Sequence, residues 1–211
     1  MIQQLRYIER KSTEPLALVK PIIGKIVNFY NQQRAEMIAN CITPFLSHDD
    51  TVLDFGCGTL RIAEAIQRNI DVNITGIDVI DINATTLPFR IYDGQTIPFE
   101  DKSFDVTYAA FVFHHTTNIE RLMSECVRVT KRRLLILEDV YQNKLELLVT
   151  KAMDSGNIFY SSEMDIPFNF MKKSQWIDLF HRFNVHNIKI QKIFPVPLRP
   201  VRHRLFVLDL N

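Results

Sequence analysis

The chain has 211 residues, 46% hydrophobic and 23% charged, with a net charge of +1 at pH 7. That length suffices for one domain with a full core and a small lid, and the near-neutral balance argues against a nucleic-acid partner. Cys41, Cys57 and Cys126 are odd in number, far apart and without metal-ligand spacing, which argues against a disulfide framework. Met1 to Lys11 lacks the apolar stretch of a signal peptide, and no run approaches the ~20 apolar residues of a membrane span. A cytoplasmic setting is the expectation. The basic clusters Lys131-Arg132-Arg133 and Arg199, Arg202, Arg204 flank predicted strands and read as solvated turn and edge positions.

Residues 1–50 read as an N-terminal helical cap. Ile22, Ile23, Ile26, Val27 and Tyr30 recur at helical spacing, as do Ala35, Ile38, Ala39 and Ile42. Pro44 and Ser47-His48-Asp49-Asp50 end this region. From residue 51 to 211 strands and helices alternate. The expected strands are Thr51–Phe55, Asn73–Asp78, Phe89–Tyr92, Phe104–Ala110, Arg133–Leu137, then about 185–193 and 202–209. The expected helices span about 59–68, Asn118–Thr130, 142–153 and Ser174–Phe183, the last with Ser174 as N-cap. This pattern implies an α/β fold with a mostly parallel, doubly wound sheet covered on both faces. No helix lies between the last two strands, so they should pair antiparallel at one edge.

Val52-Leu53-Asp54-Phe55-Gly56-Cys57-Gly58-Thr59-Leu60 concentrates the chemistry. A buried strand ends in an acid and feeds a helix through glycines, which leaves backbone N–H groups open to a ligand. Asp54, Asp78 and Asp93 end or follow successive strands, so their carboxylates converge on one crevice of a parallel sheet. Each alone also reads as a turn or capping residue. A dinucleotide fingerprint needs a third glycine where Arg61 stands, so hydride transfer is disfavoured.

Together with Gly76-Ile77-Asp78 and the run Tyr92-Asp93-Gly94-Gln95-Thr96-Ile97-Pro98-Phe99-Glu100-Asp101-Lys102-Ser103-Phe104-Asp105-Val106, this stretch resembles the class I S-adenosylmethionine-dependent methyltransferases, in particular the type 11 branch of small-molecule enzymes. The resemblance is strong over about residues 50–140. It implies a Rossmann-like domain over 51–211, a lid after the fifth strand at about 142–173, and S-adenosyl-L-methionine as cofactor. Gly56, Cys57 and Gly58 would let the backbone approach the methionine part, with Asp54 beneath. Asp78 with Val79 would hold the ribose hydroxyls, Asp93 and the Gly94 backbone would lie by the adenine, and Ala110 and Phe111 would line the methionine side. Asp105 would anchor its strand. Three departures stand out. Leu60 occupies a common glycine position and is tolerated if its side chain points away from the turn. Phe111 replaces a polar or acidic residue. Only 14 residues separate Asp78 from Asp93, so the helix there is reduced or missing, which leaves one face thinly covered and favours a partner contact such as a homodimer.

His114-His115-Thr116 follows the fourth strand, where relatives bring the acceptor to the methyl group. His115 first, and His114 second, are the candidates to take a proton from a small-molecule acceptor. The alternative is a structural pair, one of them capping the next helix with Thr116 or Thr117. Adjacent histidines lack metal spacing on a helix, so no metal is expected. Glu138 and Asp139 end the fifth strand facing the same crevice, as substrate contacts or as solvated acids. Tyr160, Phe168 and Phe170 form an apolar lid wall or pack as core. Trp176 reads as a packing residue. Besides methyl transfer to a small molecule, two readings remain: a non-catalytic S-adenosylmethionine-binding partner, suggested by Phe111 and the shortened region, and an RNA or protein methyltransferase, disfavoured by the absence of a basic stripe.

Overall fold

Apolar residues alternate along the strands, so successive side chains reach opposite faces and each face needs its own helical cover. The computed structural model describes residues 24–155, 167–193 and 201–210. In chain order its elements are α1 (24–42), β1 (Thr51–Phe55), α2 (Arg61–Gln67), β2 (Asn73–Asp78), β3 (Phe89–Ile91), β4 (Phe104–Ala110), α3 (Ile119–Val129), β5 (Thr130–Val140), α4 (Lys144–Ser155), α5 (Lys173–Arg182), β6 (Asn187–Ile193) and β7 (Arg202–Asp209). The strands form one seven-stranded sheet in the order β3-β2-β1-β4-β5-β7-β6. β3 through β5 pair in parallel, and β7 runs antiparallel to both β5 and β6. The order reverses between β1 and β4, which opens a crevice at their C-terminal ends.

On one face Leu53, Phe55, Leu134, Ile136, Phe206 and Leu208 pack with Leu122, Met123 and Cys126 of α3 and Trp176, Leu179 and Phe180 of α5. On the other, Val52, Tyr108, Leu135, Leu137, Leu205 and Val207 pack with Ile38, Ala39 and Ile42 of α1 and Ala63 and Ile66 of α2. Trp176 is thus a core residue. The fold is the expected Rossmann-like α/β sheet, mostly parallel and covered on both faces.

Several details differ from expectation. β5 begins earlier and ends later than Arg133–Leu137: Thr130 pairs with Phe104 of β4, and Arg133 through Val140 pair residue for residue with β7. Helix α5 is capped at Lys172, whose backbone N–H donates to Gln175 Oε1 at 2.8 Å, and not at Ser174. Asn118, not a threonine or histidine, caps α3 by accepting from the Arg121 N–H at 3.0 Å. Residues 79–88 contain no helix, as anticipated, and Val79, Ile82 and Ile91 stand exposed on that side. Lys131, Arg132 and Arg133 each meet a carboxylate, on Asp105, Asp50 and Asp209 respectively. Asp105 also accepts from the Thr51 N–H (2.9 Å) and hydroxyl (2.6 Å), which ties β4 to the start of β1. Tyr160 and the proline-rich 194–200 link lie outside the described residues. No described helix is long and apolar enough to cross a membrane.

Candidate functional site

The turn after β1 places three residues in the left-handed region: Gly56 at φ 68°, Gly58 at φ 51° and Leu60 at φ 59°. They differ in what surrounds them. A Cβ on Gly56 would lie 2.5 Å from Val112 Cγ1, so the loop after β4 requires glycine there. A Cβ on Gly58 would meet nothing within 4 Å, so the main chain there borders open space. Leu60 has no exposed side chain at the turn. It is fully buried against Gly76, where a Cβ would come within 2.5 Å of Leu60 Cδ2. Gly76 in β2 therefore makes the room that allows leucine at a position otherwise suited to glycine.

The acids after the strands gather at this turn. Asp78 accepts from the Gly58 N–H (2.8 Å) and the Val79 N–H (2.7 Å), linking the ends of β1 and β2. Asp93 closes its own turn by accepting from the N–H groups of Gln95 and Thr96, both at 2.8 Å, and these bonds hold its carboxyl below the usual range. Gly94 lies against Val79, where a Cβ would sit 3.2 Å from Val79 Cγ1. Asp54 is buried and faces Tyr108 across the β1–β4 pairing. Burial raises its pKa to about 7, opposed by the Tyr108 hydroxyl and reinforced by the Asp78 charge. Its Oδ2 is buried without a hydrogen-bond partner. Burial, then Asp54 and Asp78, push the Cys57 thiol far up, so Cys57 contributes backbone and not a nucleophile. At the end of β4, Phe111 adopts φ 61° and donates its N–H to the Leu137 carbonyl at 2.8 Å. Its ring contacts His203 (5.2 Å between centroids) and lies under the Arg34 guanidinium (4.8 Å), beside the half-buried Ala110.

A second cluster follows. Glu138 is fully buried and accepts from the backbone N–H groups of Val112 (3.0 Å) and Phe113 (2.8 Å) through Oε1, and from His114 Nδ1 (2.6 Å) through Oε2. His114 Nε2 and His115 Nε2 both face Asp154 Oδ2, at 3.6 and 3.4 Å. Burial disfavours the His114 imidazolium, but the charges of Glu138 and Asp154 and the bond to Glu138 prevail, raising its pKa to about 10. Burial and the neighbouring His114 charge lower that of His115 to about 4. His115 is thus neutral near pH 7 and retains a lone pair. The segment 167–171, bridged to Val140 through Met171, lies over this cluster. Asn169 donates its N–H to the His114 carbonyl (2.8 Å) and its amide to the Thr116 carbonyl (2.7 Å). Phe170 stacks on His114 with centroids 4.5 Å apart, and Phe168 meets His115 edge-on at 6.4 Å.

Glu138 and Asp139 are therefore committed inward, Asp139 to His203 Nδ1, and neither presents a solvated carboxylate. Asp154 was not anticipated. Thr150 and Asp154, four apart in α4, are both buried on one helical face, which the sequence does not mark locally. The fold adds Asp154 to the two histidines and brings three donor atoms within 4.8 Å of one another. Beside the end of β5, a cavity of about 670 Å³ is lined by Tyr141, Lys172, Lys173, Lys192, Arg202 and Arg204 among others. It is separate from the glycine turn.

Residues 53–136 match the family described as methyltransferase domain. A demethylmenaquinone methyltransferase of Thermotoga maritima is 36% identical over 99 residues, 42% of this chain and 43% of that one. An O-methyltransferase of Pyrenophora dematioidea is 32% identical over 93 residues, covering 38% and 35%. The chain spans less than half the length of these curated relatives. Among solved structures, a possible histamine N-methyltransferase of Thermotoga maritima superposes with a TM-score of 0.63 at 15% identity, over 92% of this chain and 99% of that one, a likeness of fold. Over residues 53–136 the chain is thus similar to the methyltransferase domain family and to the S-adenosylmethionine-dependent methyltransferases of the type 11 branch.

Proposed function

We propose that the protein transfers a methyl group from S-adenosyl-L-methionine to a small-molecule acceptor. The observation that carries this reading is the open, left-handed main chain at Gly58, flanked by the buried Asp54 and by Asp78, in a domain similar to this family. The donor set suits the cofactor: carboxylates for an ammonium and for ribose hydroxyls, and a main chain free of side-chain cover. When bound, S-adenosylmethionine supplies a methyl group already activated on a sulfonium. Gly56, Cys57 and Gly58 line its methionine part over Asp54, with Ala110 and Phe111 on the other side. Asp78 and Val79 take the ribose, and Asp93 and Gly94 the adenine edge. The chain's own work is then alignment and the exclusion of water. Phe168 and Phe170, with Tyr160 from the same lid, serve as the apolar wall, and Glu138 and Asp139 hold the loop and β7 around the acceptor. His115 and His114 handle any proton that the acceptor sheds. A homodimer across the β2–β3 edge belongs to the same reading, supported by the exposed Val79, Ile82 and Ile91.

The test is turnover. With methyl-labelled S-adenosylmethionine and a panel of small hydroxyl, amine and acidic-carbon acceptors, label should appear in an acceptor, and Phe168→Ala should lower kcat/KM about tenfold or more through looser water exclusion. A second reading, cofactor binding without catalysis, is favoured by Phe111, whose ring replaces a polar contact to the methionine ammonium. Tight cofactor binding with no label transferred to any acceptor class would establish it.

A further inference from the structure

We propose that His114, His115 and Asp154 bind one first-row divalent cation, with Zn2+ as the reference ion; the binding stands by itself, and its role at the acceptor rests on the methyltransferase reading above. Two adjacent histidines cannot share a metal from one face of an α-helix. Here they sit on the 3-10 turn Phe113–His115, which tilts the rings 51° to one another with centroids 4.0 Å apart. Both Nε2 atoms thereby face one carboxylate oxygen of a different element, Asp154 at the end of α4. The two nitrogen-to-oxygen separations, 3.6 and 3.4 Å, are close to the edge of a tetrahedron with metal–ligand bonds of about 2.0–2.1 Å, which is roughly 3.3 Å.

Three further observations point to a cation. His114 is 1% exposed, and its Nε2 has no hydrogen-bond partner, although it is aimed into the cluster. Its other nitrogen, Nδ1, is held by buried Glu138 at 2.6 Å; a carboxylate behind a ligating imidazole fixes the ring and raises its basicity. Glu138 and Asp154 place two carboxylates around the ring of His114, surroundings that favour a cation, and a bound metal would take the place of the Nε2 proton. His115 is 33% exposed, which leaves one side of the site open. Two histidines and one carboxylate with an open side form a donor set that suits Zn2+ or Fe2+ over Mg2+ or Ca2+. In the open position a hydroxyl oxygen of the acceptor would bind the cation and release its O–H proton to water, leaving an oxygen with a free lone pair for the methyl group. The histidines would then manage the acceptor's proton through the cation instead of taking it up.

The test uses the full chain, stripped with chelator and titrated with Zn2+ by calorimetry and with Co2+ by visible absorption. Wild type should bind one equivalent and give the intense d–d bands of tetrahedral Co2+. Asp154→Asn and His115→Ala should each weaken Zn2+ at least tenfold and lose those bands. His115→Ala guards against misfolding of the more buried variant. The surface pair His181 and His186, with ring centroids 5.5 Å apart, is the competing binder, so His181→Ala should leave Zn2+ affinity unchanged. No stoichiometric binding by wild type, or binding lost in His181→Ala and kept in Asp154→Asn, overturns the proposal. S-adenosylmethionine binding, measured separately without metal, reports on the methyltransferase reading alone.

Discussion

Gly56 and Gly58 share a left-handed backbone but not an environment, and their substitutions should separate fold from binding. Gly56→Ala drives a methyl into Val112 and should destabilise by about 2–4 kcal/mol in denaturant unfolding, strain and overpacking together. Gly58→Ala incurs only backbone strain, about 1–2 kcal/mol, yet it should weaken S-adenosylmethionine binding tenfold or more because its methyl occupies the open space. If Gly58→Ala binds like wild type, the turn does not border the cofactor. Asp54 carries a pH signature. Its folded pKa of about 7 lies above the ordinary carboxylate value. Below that ordinary value both states are protonated, and the burial has no ionisation cost. As pH rises from about 4 to 7 the unfolded chain loses the proton while the folded chain keeps it, so stability falls across that window. Asp54→Asn should remove this fall, a relative gain of order a few kcal/mol by pH 7. Parallel pH slopes for both proteins would refute the assignment.

At the scale of elements, Leu60 shows two effects in competition. Leu60→Gly relieves left-handed strain worth about 1–2 kcal/mol but empties a fully buried site next to Gly76, a loss of about 2–5 kcal/mol. The loss is larger, so thermal unfolding should show net destabilisation; a raised Tm would mean that strain dominates. Arg128 staples the segment after Asp93 to α3 through Glu125, Asp101 and the carbonyls of Ile97 and Phe99. These contacts give a physical reason for the Ile97–Val106 run: Ile97 fills core, Phe99 meets Phe104 edge-on at 4.9 Å, and Asp105 ties back to Thr51. Arg128→Ala should lower stability by roughly 2–3 kcal/mol. Much of this level was legible in the chain. β2 and β7 were readable because their apolar runs end at Asp78 and Asp209, and β4 because its apolar run starts abruptly after the polar Glu100–Ser103 turn. The full length of β5 was not, since its partner β7 is distant in sequence and pairing register leaves no local mark. The packing of Leu60 was hidden for the same reason: it depends on Gly76 in another strand. Asp154 joined the histidines through tertiary packing of α4, which the sequence does not mark locally.

Across the molecule, the reversal of strand order between β1 and β4 organises everything else. It collects Asp54, Asp78 and the loop after β4 at one edge, while α1 with α2 and α3 with α5 seal the two faces. The histidine cluster lies one strand further on, held by Glu138 from β5 and roofed by Phe168 and Phe170. In the proposed function, cofactor end and acceptor end would thus be built by different strands of one sheet, which suits a transfer that depends on alignment. The most direct test of this arrangement is isothermal titration of the wild-type chain and Asp78→Ala with S-adenosylmethionine and S-adenosylhomocysteine. Wild type should bind both at a single site, and Asp78→Ala should lose at least tenfold in affinity for each while remaining folded. Absence of binding by wild type, or equal affinity in the folded variant, would contradict the cofactor site at the ends of β1 and β2.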